Sequence, residues 1–304
     1  MIRTRQLRKQ YGPLHAVDDI DFDVREGECF GFLGPNGAGK STTMRMLYCA
    51  TPIDGGSLEI LGKDVSDPRQ WHDLKRRIGV VPQEDNLDQD LTLRENLVIF
   101  SRFYGLKGKE RKARVDELLD FVELEEKANT RILALSGGMK RRALIARGLV
   151  GDPEILILDE PTTGLDPQAR QNLWERLFSL KKRGRTLLLT THYMEEAEKL
   201  CDRLVIMDKG RIVAEGSPRA LIEERVPRQV VELFLDEGEQ FSADGLACSP
   251  HAVQRTADRV LCYTDRGEDL MHELLEHYPE HRAALRPSDL EDVFLEITGR
   301  KLES

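Results

Sequence analysis

The stretch Gly34-Pro-Asn-Gly-Ala-Gly39-Lys40-Ser41, read GPNGAGKS, decides the fold. It follows a short apolar run, Cys29-Phe-Gly-Phe-Leu33, and precedes a helical pattern carrying Met44, Met46 and Leu47. A glycine-rich turn between strand and helix lets backbone N–H groups curl around a polyanion without Cβ clashes. The helix that follows aims its positive end at the phosphates. Within the spacing GxxxxGK[ST], Gly34, Pro35, Asn36, Gly37, Ala38 and Gly39 form the cradle. Lys40 supplies a charge for β- and γ-phosphates, and Ser41 offers a hydroxyl to Mg²⁺.

A second stretch belongs with the first. Ile155-Leu-Ile-Leu158 is a continuous apolar run of strand length, as buried parallel strands show, and it ends in Asp159-Glu160. Two carboxylates at the carboxyl end of a buried strand are costly unless they meet a cation or a proton-transfer task. Asp159 is the natural Mg²⁺ partner, and Glu160 is placed to take a proton from attacking water. Capping of the next segment at Pro161-Thr-Thr is the competing structural role.

Around these two stretches the pattern alternates. Strands are predicted at Ser57–Leu61, Ile78–Val81, Thr186–Thr191, Leu204–Met207 and Arg211–Ala214. Helices are predicted at Gln168–Arg183 and Glu195–Asp202, and three more fill a block between Thr92 and Gly151. Thr92-Leu-Arg-Glu95 is a capping-box pattern, and Val115, Leu118, Leu119 and Val122 share one face. Strands alternating with helices imply an α/β core with a helical insertion. A boundary is expected near Glu223–Pro227. Beyond it, strands at Val230–Leu235 and Val260–Tyr263 and a helix at Asp269–His277 describe a small α+β appendage.

Composition sets the limits. The 304 residues fit two domains, or one with an appendage. A net charge of −9 argues against a broad nucleic-acid-binding face, but leaves room for one local polyanion site. No apolar run approaches the length of a membrane-spanning helix, and the basic start MIRTRQLRKQYG is followed by no apolar signal core. Cys29, Cys49, Cys201, Cys248 and Cys262 have no CxxC spacing, so they read as reduced thiols used as small hydrophobes.

With these residues in order, the chain resembles the nucleotide-binding subunit of ATP-binding-cassette (ABC) transporters. Gly34–Thr42 matches the phosphate loop, with Thr42 added to the cradle, and Gln83 in Val80-Val-Pro-Gln83 matches the glutamine loop. Leu135-Ser-Gly-Gly-Met139 matches the family signature, Ile155–Pro161 the acidic strand motif, Gly164-Leu-Asp166 the D-loop and His192 the switch histidine. Tyr11 stands where an aromatic stacks on adenine.

The resemblance implies a P-loop NTPase fold over residues 1–225, with a mixed sheet core and a helical subdomain at about 84–150, and an accessory α+β domain at 226–304. It implies ATP and Mg²⁺ as cofactors, with Ser41, Gln83 and Asp159 toward the metal. Glu160 would be the base, with His192 and Gln83 beside it. Ser136, Gly137 and Gly138, at a helix start, would cover the γ-phosphate held by a second copy, and Asp166 would tie the two sites of that homodimer. The cassette would dock on the cytoplasmic face of a separate integral-membrane permease, through Glu84–Asp90 and the helical block. The form LSGGMKRR, with Met139 where glutamine is usual, resembles a bacterial export subset that includes drug and nodulation-type lipo-oligosaccharide exporters (ABC-2 type). The tail Pro287–Gly299, PSDLEDVFLEITG, is similar to the tail module of that subset.

The rival is a soluble ABC ATPase acting on ribosomes or DNA. One phosphate loop and one signature, with a short block between Gln83 and Leu135, disfavour it. Lys140-Arg-Arg142 is open between a charge near the nucleotide or partner and a solvated helix face. Trp174 is expected in the core. His272, His277 and His281 are expected to be solvated rather than metal-ligating, because Pro279 breaks their register.

Overall fold

A computed structural model describes residues 1–235, 239, 241–243, 246–256 and 258–299. The chain divides after Glu215 into two compact units.

The first unit begins with a long antiparallel hairpin, β1 (Ile2–Tyr11) and β2 (Leu14–Val24), followed by β3 (Cys29–Leu33) and α1 (Lys40–Leu47). β4 (Gly55–Ile60), β5 (Lys63–Asp64), α2 (Trp71–Arg77) and β6 (Ile78–Val81) come next. Three helices, α3 (Leu93–Phe103), α4 (Gly108–Phe121) and α5 (Gly137–Gly148), separate β6 from β7 (Ile155–Asp159). The unit closes with α6 (Pro167–Lys182), β8 (Thr186–Thr191), α7 (Met194–Leu200), β9 (Arg203–Asp208) and β10 (Arg211–Gly216).

Two sheets form its core. β2, β1, β4 and β5 make an antiparallel sheet, and the second sheet runs β10-β9-β3-β8-β7-β6. In the second, β9, β3, β8, β7 and β6 are parallel. Every residue of β3 and β8 is buried, which is why both read as unbroken apolar or threonine runs rather than alternating ones. Phe22 of the antiparallel sheet meets Phe32 of β3 edge-on, with ring centres 5.1 Å apart. Met44, Met46 and Leu47 of α1 join the same core.

The register of the parallel strands decides what gathers at one end of the sheet. Leu33 of β3 pairs with Thr191 of β8, Thr190 pairs with Asp159 of β7, and Leu158 pairs with Val81 of β6. The chain leaves all four strands at that level, so Gly34, His192, Glu160 and Gln83 emerge side by side. Ligands of open α/β sheets bind at the carboxyl ends of the strands for this reason. The predicted helical insertion is the α3–α5 block, between two strands that are neighbours in the sheet.

The second unit begins at Gly216. It contains α8 (Pro218–Arg225), β11 (Gln229–Phe234), β12 (Ala252–Arg255), β13 (Arg259–Thr264), α9 (Gly267–His277), β14 (Arg282–Pro287) and α10 (Leu290–Thr298). Its antiparallel sheet runs β12-β13-β11-β14. Val231, Leu233, Val260 and Cys262 pack with Leu270 and Leu274 of α9. The division falls ten residues earlier than the 225/226 boundary expected from sequence, because α8 packs on α10 and so belongs to this unit. Neither β12, β14, α2 nor α8 was expected; their short, charge-rich segments carry too few apolar residues for a period to show.

Asp289 caps α10 in a capping box with Asp292, and Gly299 closes it in the left-handed conformation at φ +67°. The predicted tail module is thus a self-capped helix. All five cysteines are free and buried.

Candidate functional site

Two glycines of the phosphate loop have no substitute. Gly34 has φ +155°, and a Cβ there would lie 2.3 Å from the Met207 carbonyl oxygen. Gly39 has φ +101°, and its Cβ would lie 2.4 Å from the Ala16 carbonyl oxygen. The loop is pinned from outside as well, since Gly210 donates its N–H to Ala38 O at 3.0 Å.

Lys40, the first residue of α1, is only 4% exposed. Its ammonium donates to Gly34 O at 2.6 Å and Pro35 O at 3.0 Å. Burial pushes the ammonium below its ordinary range, while the charges of Glu160 and Asp159 oppose that shift. Ser41 donates its hydroxyl to Asp159 Oδ1 at 3.2 Å.

The acidic pair has two different environments. Asp159 Oδ1 also accepts from Thr190 Oγ1 at 2.5 Å, so two hydroxyls meet on one oxygen. Glu160 is 7% exposed and accepts at Oε2 from Gln83 Nε2 and Thr163 Oγ1, both at 3.1 Å. Its Oε1 lies 3.3 Å from His192 Nδ1, without the alignment of a full hydrogen bond. Contact with His192 is the largest cause holding the Glu160 carboxyl below its ordinary range, and it outweighs burial. His192 lies against the Tyr193 ring, with centres 4.2 Å apart and planes tilted by 41°, and the Arg170 guanidinium sits 4.5 Å from the centre of the Tyr193 ring.

Adjacent hard oxygens on Ser41 and Asp159 suit Mg²⁺, which prefers carboxylate, hydroxyl and water oxygens. Gln83 spends its amide N–H on Glu160, leaving its carbonyl oxygen as the group able to face a cation. Among the described residues, no three His, Cys, Asp or Glu side chains form a metal cluster of their own.

The other predicted residues have contacts of their own. Ser136 caps α5, accepting from Met139 N at 3.3 Å, so Gly137 and Gly138 occupy the helix start as expected. Asp166 caps α6, accepting from Ala169 N at 2.8 Å. A Cβ on Gly138 would touch Leu165 and Ala169 at 3.7 and 3.8 Å, so signature and D-loop are neighbours in a second cluster. Tyr11 ends β1 at the hairpin, 44% exposed, with the Lys9 ammonium 5.4 Å from its ring centre.

Lys140-Arg-Arg142 is not a solvated face. Lys140 lies 3.7 Å from Asp85 Oδ2, Arg142 donates to Val122 O at 2.9 Å, and Arg141 is buried. Arg141, Leu144, Ile145 and Gly148 fall at i, i+3, i+4 and i+7 and are all buried, but an arginine beside Lys140 and Arg142 reads as solvated in sequence, so the spacing did not by itself reveal it. Glu196 was also missed. It is fully buried and accepts from Trp174 Nε1 at 3.1 Å, and Trp174 itself lies in the core. Nothing in a surface-helix pattern such as Glu195-Glu196 separates a buried glutamate from a solvated one.

Comparison with known proteins gives the family. Residues 17–163 match the ABC transporter family, and residues 242–299 match the C-terminal domain of nodulation factor export protein NodI. A Burkholderia pseudomallei (strain K96243) protein, Nod factor export ATP-binding protein I, is 49% identical over 98% of this chain and 97% of its own. Its namesake from Mesorhizobium japonicum is 47% identical over 98% of this chain and 86% of its own. Among solved structures, the ATP-binding cassette MJ0796, dimeric and bound to ADP and Pi after hydrolysis, is 29% identical. It covers 71% of this chain and 98% of its own with a TM-score of 0.66. CbiO1 of Clostridium perfringens, part of the ABC transporter complex cbiONQ, is 28% identical over 73% of this chain and 90% of its own, with a TM-score of 0.68. A near-full-length match at this identity, on a cassette fold with the phosphate loop and acidic pair in contact, means that the chain is an ATPase belonging to the ABC transporter ATP-binding subunits, in the branch of Nod factor export ATP-binding protein I.

Proposed function

We propose that this ATPase powers export through a separate membrane permease, as two copies that close on two ATP molecules and reopen after hydrolysis. The observation that carries the chemistry is the convergence of Gln83, Thr163 and His192 on Glu160, next to the Ser41–Asp159 contact.

We assign the roles as follows. Gly34, Pro35, Asn36, Gly37, Ala38, Gly39 and Thr42 wrap the phosphates, and Lys40 offers its charge to them. Ser41 and Asp159 would hold Mg²⁺, with the Gln83 carbonyl oxygen beside them, and the ion would supply charge neutralisation for the transferring phosphoryl group. Glu160, kept ionised by its neighbours, accepts the proton of the attacking water as the water oxygen bonds to the γ-phosphorus and ADP leaves. His192 orients that water. Tyr11 stacks on the base. Ser136, Gly137 and Gly138, at the start of α5, serve the nucleotide of the second copy, and Asp166 lies at the copy–copy boundary.

The relatives' names specify Nod factor export, which supports a cargo of that class. No described helix is long and apolar enough to cross a membrane. A permease partner would therefore bring the pathway, holding this chain at the cytoplasmic face.

Glu160→Gln tests the chemistry. It is expected to bind ATP normally, to turn over about 10²- to 10³-fold more slowly, and to accumulate as a dimer in ATP by light scattering. Near-normal turnover would remove Glu160 as the base. Affinity purification from membranes tests the partner. A multi-span protein should accompany the chain, and ribosomal RNA in its place would favour the rival reading.

A further inference from the structure

Arg141 lies in α5, one helical turn after the signature glycines, and is 6% exposed. Its hydrogen bonds all go to main-chain carbonyls. Nε donates to Pro161 O at 2.7 Å. Nη1 donates to Pro82 O at 2.5 Å and, at longer range, to Gln83 O at 3.4 Å. Nη2 donates to Asp159 O at 2.7 Å and Glu160 O at 2.8 Å. All three nitrogens of the planar guanidinium are thus engaged, and a rigid five-donor fork is the side chain able to do this. Burial pushes the guanidinium down to about 10, opposed by the charges of Asp159, Glu196 and Glu160, so it remains cationic at neutral pH.

What Arg141 grips is a strained segment. Glu160 has φ +49°, in the left-handed region that side chains other than glycine rarely occupy. Such a conformation persists only when its surroundings over-determine it. Glu160 N–H is held by Thr190 O at 3.1 Å and Thr190 Oγ1 at 3.0 Å. The carbonyls before, at and after Glu160 are all held by Arg141. The same guanidinium holds the backbone at Pro82 and Gln83, whose side chain bonds Glu160.

We propose that Arg141 is a positioning residue for hydrolysis: it fixes the left-handed backbone of Glu160 and the Gln83 loop in one arrangement and ties both to the signature helix. A shift of α5 is thereby felt at the direction of the Glu160 carboxylate. The inference rests on the role of Glu160 proposed above.

The test uses the full chain with Arg141→Gln and Arg141→Lys, each checked for folding by circular dichroism and thermal melting. Arg141→Gln should lower kcat about 30- to 100-fold, the scale of a misplaced catalytic group, while the Kd for a fluorescent ATP analogue changes less than about threefold. Arg141→Lys keeps the charge and part of the donor set, so its kcat should fall between wild type and Arg141→Gln. Single-turnover hydrolysis by the double variant with Glu160→Gln should be no slower than by Glu160→Gln alone, because the two residues act as one unit.

Wild-type kcat in both Arg141 variants would overturn the inference. So would a Kd that weakens in step with kcat, a multiplicative loss in the double variant, or failure of both variants to fold, which would assign Arg141 to stability alone. A slow Glu160→Gln beside a normal Arg141→Gln refutes the positioning role only; a near-normal Glu160→Gln refutes the base itself.

Discussion

Lys40 is a cation held in a nearly closed pocket by two carbonyl oxygens of its own loop. Burial works against its charge, so the site is built to receive anionic groups that restore it. Lys40→Ala is expected to weaken ATP binding by about 2 kcal/mol, roughly 30-fold, the worth of one charge-assisted hydrogen bond. Nucleotide titration checks this, and unchanged affinity would count against the phosphate role. At the same scale Glu160 and Asp159 differ in environment. Asp159 is bonded by two hydroxyls, and Glu160 is surrounded by an amide, a hydroxyl and an imidazole. The residue types were legible in the chain. Their contacts were not, since Gln83, Glu160 and His192 are far apart in sequence and meet through strand register.

Elements explain which sequence patterns could be read. The capping box at Thr92 is realised in full: Thr92 Oγ1 accepts from Glu95 N at 3.2 Å, and Glu95 Oε2 accepts from Thr92 N at 2.8 Å. Thr92→Ala should therefore cost about 1 kcal/mol, seen as a lower urea midpoint for the full chain with nucleotide affinity unaltered. Strands β3, β7 and β8 were legible because burial on both faces forces continuous apolar sequence. α5 was harder. Its buried face includes Arg141 and Arg147, which look solvated in sequence and are instead spent on backbone carbonyls.

For the whole molecule, the two units have separate hydrophobic cores. Every residue assigned to the nucleotide lies before Gly216. In the second unit, Asp292 is 1% exposed and accepts from Arg286 Nη1 at 2.6 Å, Arg286 Nη2 at 2.8 Å and the Tyr263 hydroxyl at 3.0 Å. Arg286 also reaches Glu232 at 2.7 Å. Arg286→Met would strand a buried carboxylate and is expected to destabilise this unit by about 3 kcal/mol. The Kd for ATP should change less than about twofold in the same variant. Denaturant unfolding and nucleotide titration on one preparation test both halves, and loss of ATP binding at full folding would contradict the separation.

By itself, the sequence determined the phosphate loop, the acidic pair, the signature and the alternation of strands and helices. Each is a local pattern, set by turn sterics, helix caps and burial period within a few residues. Only the tertiary structure decided that α8 belongs with the tail, that Arg141 is buried, and that Glu160 sits in a left-handed turn held from three segments. Those features depend on which distant carbonyls and side chains a register brings within hydrogen-bond reach, and no local pattern carries that information.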